Sequence, residues 1–224
     1  MVIIKKITRF VLLIMFFILA IGFTIASYNM VMGVHDRIFS GSLLWVAIGF
    51  VAYLPLHLVF RKFIIVHVFS HELTHALWAL LFGGKVEEIY VSGKAGGYTT
   101  HTKSNFVVAL APYFFPLYSF IILAMLFIVQ DAYKSILHVL LGFSFSFHIL
   151  LTLHALRLGQ SDLKKHGVIF SLVFIYLMNC IVFGLILCSV DQQYAVKTYM
   201  LDGLSIFKNL PIVIKLVSGW RNGA

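Results

Sequence analysis

Charge is scarce in this chain. Only 11% of its 224 residues are Asp, Glu, Lys or Arg, while 61% are apolar, and mean hydropathy is +1.00. A water-soluble domain of that length needs far more polar surface, so the shortage excludes one and leaves a polytopic membrane protein. Little length remains outside the apolar runs for a large soluble domain. Cysteine is nearly absent. Cys180 and Cys188 share one apolar segment and form no CxxC, so they read as small apolar side chains in a helix and not as a disulfide or metal framework. Internal repeats and low-complexity tracts are also missing. Acid is the scarcer charge, with eight Asp and Glu against seventeen Lys and Arg. In a soluble protein the net charge of +9 would suggest nucleic acid. Here the basic residues stand between apolar runs: Lys5, Lys6 and Arg9; Arg61 and Lys62; Lys164 and Lys165; Lys208, Lys215 and Arg221. That placement suits anchors facing anionic lipid headgroups, and no nucleic-acid partner is expected.

What is present is a series of long apolar runs: 10–27, 43–60, 63–82, 105–130, 135–156 and 167–190. Each is long enough to approach a bilayer's thickness as a helix, which predicts about six spans. The first run lacks a good small-residue cleavage site and is expected to stay as a span. A polar loop is expected at 28–42. Pro55 interrupts the second run, Pro112 and Pro116 stand near the start of the fourth, and Asp131 and Lys134 mark its end. Gly83 and Gly84 close the third run as a helix should close. Residues 85–102 differ, with Val86, Ile89, Val91 and Tyr98 mixed among Gly93, Gly96 and Gly97, a pattern that predicts a short β-hairpin. The expected organisation is two N-terminal transmembrane helices (1–62), a membrane core (63–190) and an interfacial tail (191–224). Counting basic residues on the two sides of such a topology leaves its orientation undecided.

The third run carries His71-Glu72-Leu73-Thr74-His75, an H-E-x-x-H. On a helix, residues four apart share a face, so both imidazoles reach one metal ion. Neutral imidazole is a good zinc ligand. Glu72, next to the first ligand, is placed to take a proton from water as general base. With ten His and three Glu in 224 residues, chance supplies on the order of 0.006 such motifs. Ionisable groups are costly inside a bilayer, and three at this spacing are poorly explained by interhelical hydrogen bonds alone. His67, one turn before His71, reads as a neighbouring or interfacial histidine.

A catalytic zinc usually takes a third protein ligand. Asp162, at a junction of two apolar runs and beside Gln160 and Ser161, is the best candidate. It also fits as an N-cap of the last helix, and the two roles are compatible. Asp202, in Leu201-Asp202-Gly203, is its rival, and His101, His138, His148 and His154 are weaker ones.

In these features the chain resembles the site-2 protease family of intramembrane zinc metalloproteases. The resemblance covers about 63–185. It rests on the H-E-x-x-H in an apolar helix that ends at Phe82-Gly83-Gly84-Lys85-Val86, on the hairpin with Gly96-Gly97, on Ala109-Leu110-Ala111-Pro112 opening the next run, and on one further run followed by an Asp. It implies an all-α polytopic membrane fold of about six transmembrane helices, with the small β-hairpin next to the active site. It also implies Zn²⁺ held by His71, His75 and Asp162, with Glu72 as the base. The chain would be an integral, multi-pass membrane enzyme acting on transmembrane protein substrates. The local sequence around Asp162 departs from the family pattern N-x-x-P-x-x-x-L-D-G. Ser161 stands for Leu, Leu163 for Gly, and His154 takes the place of the Asn that helps polarise the scissile carbonyl. His154 is therefore expected to assist at the oxyanion. A buried helical peptide bond must be unwound before it is cut, and the hairpin edge offers a strand with which unwound substrate can pair. Water must reach the metal, which calls for a polar opening near the hairpin and Asp162. The alternatives are a membrane metal transporter, which needs ligands at several depths, and a helix-binding protein that has lost catalysis.

Overall fold

A run of apolar residues without an internal Pro or charge continues as helix until something stops it, and α1 (Val2–Val34) runs past the expected loop start to a single 3₁₀ turn at His35–Arg37. The computed structural model describes residues 2–39, 41–59, 64–92, 96–191 and 193–208. The basic anchors Arg61, Lys62, Lys215 and Arg221, and the tail from residue 209, lie outside them. The order continues with α2 (Gly41–Val59), α3 (Ile64–Leu81), the strands β1 (Val86–Ser92) and β2 (Gly96–His101), α4 (Phe106–Leu110), α5 (Leu117–Leu126), α6 (Asp131–Leu158), α7 (Ser161–His166), α8 (Val168–Val190) and α9 (Val196–Leu204).

Among the described residues, α1, α2, α6 and α8 are long and apolar enough to cross a bilayer. The pair formed by α4 with its following 3₁₀ turn and α5, bent by 75° at a short break, makes a fifth candidate if it is one broken span. The expected run at 105–130 is therefore not one straight rod. Pro112 sits in the 3₁₀ turn Ala111–Tyr113, and Pro116 stands at the N-cap of α5. Proline lacks the amide needed to carry the ladder through and disfavours helix in the residue before it. Asp131 and Lys134, expected to end that run, instead open α6 and form an ion pair at 2.7 Å. The candidate crossings thus number up to five among the described residues, and α3, which carries the H-E-x-x-H, is a further apolar helix of 18 residues.

The chain forms two compact units. One comprises residues 1–35 and 176–224, the other residues 36–175. In the first, α9 packs on α1. The backbone carbonyl of Gly203 would fall 2.2 Å from a Cβ on Gly22, so a glycine is required where the helices touch. Tyr199 is fully buried, and its ring occupies the space that a side chain on Gly184 would need. Its hydroxyl donates to the Cys180 carbonyl at 2.8 Å and lies 2.9 Å from Ser27 Oγ. Part of the stretch expected to lie in the interface is thus a docked helix.

In the second unit, α2 and α6 pack along their length. A Cβ on Gly142 would fall 1.9 Å from the Val46 carbonyl, and one on Gly49 would fall 1.8 Å from the Val139 carbonyl. Two small residues let the backbones meet where apolar side chains alone supply little drive for helix association. Tyr53, Phe147 and Leu151 form a buried cluster at this contact. The hairpin is antiparallel, pairing Ser92 with Gly96 through Val86 with His101, with a bulge between Val86 and Glu88. Both strands lie against α3. The hairpin is thereby set beside the helix that carries the histidines.

Candidate metal centre

The site begins with how α3 ends. Gly83 takes φ +72, its amide donates to the Leu80 carbonyl, and the Gly84 amide donates to Ala79 at 2.8 Å. This left-handed stop turns the chain straight into β1 and brings the hairpin back along α3. Gly97 then lies so close to the helix that a Cβ there would be 2.7 Å from Val68 Cγ1 and 2.8 Å from Glu72 Cγ. Two residues on, Thr99 Oγ1 meets both the backbone carbonyl of Glu72, at 3.0 Å, and its Oε2, at 2.8 Å. The Glu72 carboxylate is buried and held by the hairpin, with Oε1 left as its other oxygen.

His71 and His75 are buried on the same face of α3, their ring centroids 4.9 Å apart. Asn105 caps α4 by accepting the Val108 amide at 2.9 Å. The cap fixes the first turn of α4, and the Val108 carbonyl accepts a hydrogen bond from His75 Nδ1 at 3.0 Å. A proton on Nδ1 leaves Nε2 as a bare donor atom, as a metal ligand requires.

Asp162 arrives from the other end of the unit. Gly159, at φ +64, ends α6, Gln160 stands at the N-cap of α7, and Asp162 lies in the first turn of that helix. It does not cap α8, which begins six residues later at Val168. Its Oδ2 is 3.7 Å from His71 Nε2 and 3.5 Å from His75 Nε2. Burial disfavours ionisation of this carboxyl, but the imidazoles of His71 and His75, donating from Nε2 when they are protonated there, outweigh it and hold Asp162 below the ordinary carboxylate range; a metal ion between the three would replace those protons. It is therefore an anion at neutral pH.

These three residues fit a zinc ion. Ligands at ~2.0–2.1 Å around a tetrahedral zinc lie about 3.4 Å from one another, close to the spacing seen. Their ligand atoms all fall within 4.8 Å of each other, and among the described residues no other group of three His, Cys, Asp or Glu does so. Two neutral nitrogens and one carboxylate oxygen are also the donors zinc accepts, with a position left open.

The centre opens into a cavity of about 430 Å³, lined on one wall by Gly96, Gly97, Tyr98 and Thr99 of the hairpin and on another by Gln160, Ser161, Asp162 and Lys165. The expected polar opening is there. His67 and His101 also line it, but neither joins the three-residue group.

The other residues singled out by sequence do not join the three-residue group. His154 is on the exposed side of α6 and does not line the cavity. His138 is buried within α6, and His148 lines a smaller space that shares His67 and His71 with the cavity. Asp202 belongs to α9, in the other compact unit, and accepts from Tyr194 at 3.2 Å. Three residues not expected at the site are part of it. Thr99 holds Glu72, Gln160 lines the cavity, and Tyr113 lies behind the metal ligands, its hydroxyl donating to Gln160 Oε1 at 2.6 Å and lying 3.5 Å from Asp162 Oδ2. Thr99 and Gln160 had a signal in being polar beside a motif. Tyr113, next to Pro112 in an apolar run, had none.

A family model described as Peptidase M50B-like matches residues 42–210. The match takes in every residue of the cavity. No curated protein and no solved structure matches the chain.

Proposed function

The chain belongs to the Peptidase M50B-like family, and from that premise we propose that it is an intramembrane zinc metalloendopeptidase of the site-2 protease type, acting on transmembrane protein substrates. The convergence of His71, His75 and Asp162 within 4.8 Å, beside a buried Glu72, carries this reading. Zinc bound there would acidify a water and polarise a peptide carbonyl. His75 is held in the ligating tautomer by Val108, and Asp162 contributes the negative charge. Glu72, oriented by Thr99, accepts a proton from the water as it adds to the carbonyl and returns it to the departing amine. An unwound substrate segment lies along β2, where Gly96, Gly97 and Tyr98 form the cavity wall, and pairs with its edge.

The metal-transport alternative needs several ligand sets along a path. Among the described residues there is one.

The test is Glu72→Gln, with zinc content measured alongside cleavage of a membrane-anchored substrate. Zinc should stay at the wild-type level while cleavage falls by about 10²-fold or more. Unchanged cleavage would remove Glu72 from the chemistry. Wild-type protein that holds zinc but cleaves no membrane-anchored substrate would sink the proteolytic reading.

A further inference from the structure

A metallopeptidase gains much of its rate from donors aimed at the oxygen on which charge develops. The residue that the sequence pattern puts forward for this, His154, is exposed on α6 and is not among the residues that line the cavity. The role is therefore open, and the structure offers another side chain for it.

We infer that Gln160 is the carbonyl-polarising donor, its amide oriented by Tyr113; the inference rests on the proteolytic reading above. Gln160 lines the cavity two residues before Asp162. It occupies the N-cap position of α7, yet its side chain makes no capping bond. Its amide oxygen instead accepts from the Tyr113 hydroxyl at 2.6 Å. With Oε1 engaged from behind, the amide plane is set, and Nε2 is the group left to donate on the cavity side. Gln160 is half-buried at the cavity wall, and among the described residues its side chain bonds only to Tyr113, through Oε1, which leaves Nε2 for what enters the cavity.

Tyr113 is well placed to hold this arrangement. It is 1% exposed, does not line the cavity, and stands in the proline turn between α4 and α5. Its ring meets the His71 ring edge-on with centroids 5.4 Å apart, while its hydroxyl bridges toward Gln160 and Asp162. One rigid side chain thus references the donor to two of the three ligand residues. Tyr113 is a positioning residue, because it touches no substrate. Gln160 is a catalytic residue, because its amide faces the reacting carbonyl.

The experiment compares Gln160→Ala and Gln160→Met with wild type, at saturating zinc, on one membrane-anchored substrate. Gln160→Met keeps the side chain's length and removes both amide atoms. Both variants should keep full zinc content and near-wild-type KM and lose about 100-fold in kcat. Tyr113→Phe, which frees the amide to rotate, should lose about 10-fold in kcat with zinc still bound. A peptide phosphinate that mimics the tetrahedral state should bind the Gln160 variants weaker by the same factor as the kcat loss. Unchanged kcat in both Gln160 variants overturns the inference and leaves the proteolytic reading intact. So does loss of zinc in both, which would make Gln160 a support for the metal. Loss of rate in His154→Ala, with the Gln160 variants unaffected, returns the role to His154. If wild type itself cleaves nothing, the proteolytic reading has failed and this inference falls with it.

Discussion

At the scale of single residues, the site depends on one hydrogen bond or charge at each position. His75 is oriented by a backbone carbonyl, Glu72 by a threonine hydroxyl, and the Asp162 carboxylate faces both imidazoles. Asp162→Asn keeps the size and removes the charge. It should cost more zinc affinity than the roughly 10–100-fold typical of losing an outer partner of a metal ligand. Asp202→Asn should leave zinc binding unchanged. Zinc titration of the two purified variants against a competing chelator distinguishes them, and equal losses would mean that Asp162 is not the third ligand.

At the scale of elements, the hairpin is the piece that walls the histidine face of α3 into a cavity. Its position depends on the stop at Gly83 and on the absence of a side chain at Gly97. Gly97→Ala would put a methyl group 2.8 Å from both Glu72 Cγ and the Tyr90 carbonyl, closer than atoms pack. The hairpin must lift from α3, taking Thr99 away from Glu72. Cleavage should fall at least about 10-fold, a barrier change of about 1.4 kcal/mol, with zinc content unchanged. Full activity in this variant would show that the hairpin need not touch the helix. The bent pair α4 and α5 makes a similar point. A long apolar stretch reads as one span, but its two prolines break it, and the break places Tyr113 behind the ligands and the Val108 carbonyl against His75.

At the scale of the whole molecule, the chain is an integral, multi-pass membrane protein whose candidate metal ligands come from α3 and α7, elements separated by the hairpin, the bent pair and α6. An ion bridging them is a crosslink present only in the folded state. A ligand at 100 times its dissociation constant stabilises by about 2.7 kcal/mol. Removing zinc with a chelator should therefore abolish cleavage and lower the unfolding temperature in detergent, and returning zinc should restore both. Asp162→Asn should show no such shift. A wild-type unfolding temperature insensitive to the chelator would argue against a metal joining the two helices.

Much of this was legible in the sequence because it depends on local rules. Apolar runs of bilayer length declare themselves as helices, two histidines four apart declare a shared helical face, and glycines at 83 and 84 declare where that helix ends. The hairpin was legible for the same reason, from short runs around glycines. Choosing among partners distant in the chain was not. Asp162, Asp202 and four histidines were all eligible as ligands by type. The path of the backbone brings Asp162 to 3.5 Å from His75 and leaves His154 on the outer side of α6. Nor did any pattern in the chain announce Tyr113 or the close contact of Gly49 and Gly142 with the opposite helix, since both arise from packing between segments. Periodicity and residue chemistry determined the helices and the histidine pair on one face; the tertiary structure alone decided which carboxylate faces that pair, because proximity across some ninety residues is set by how helices pack and bend and not by spacing along the chain.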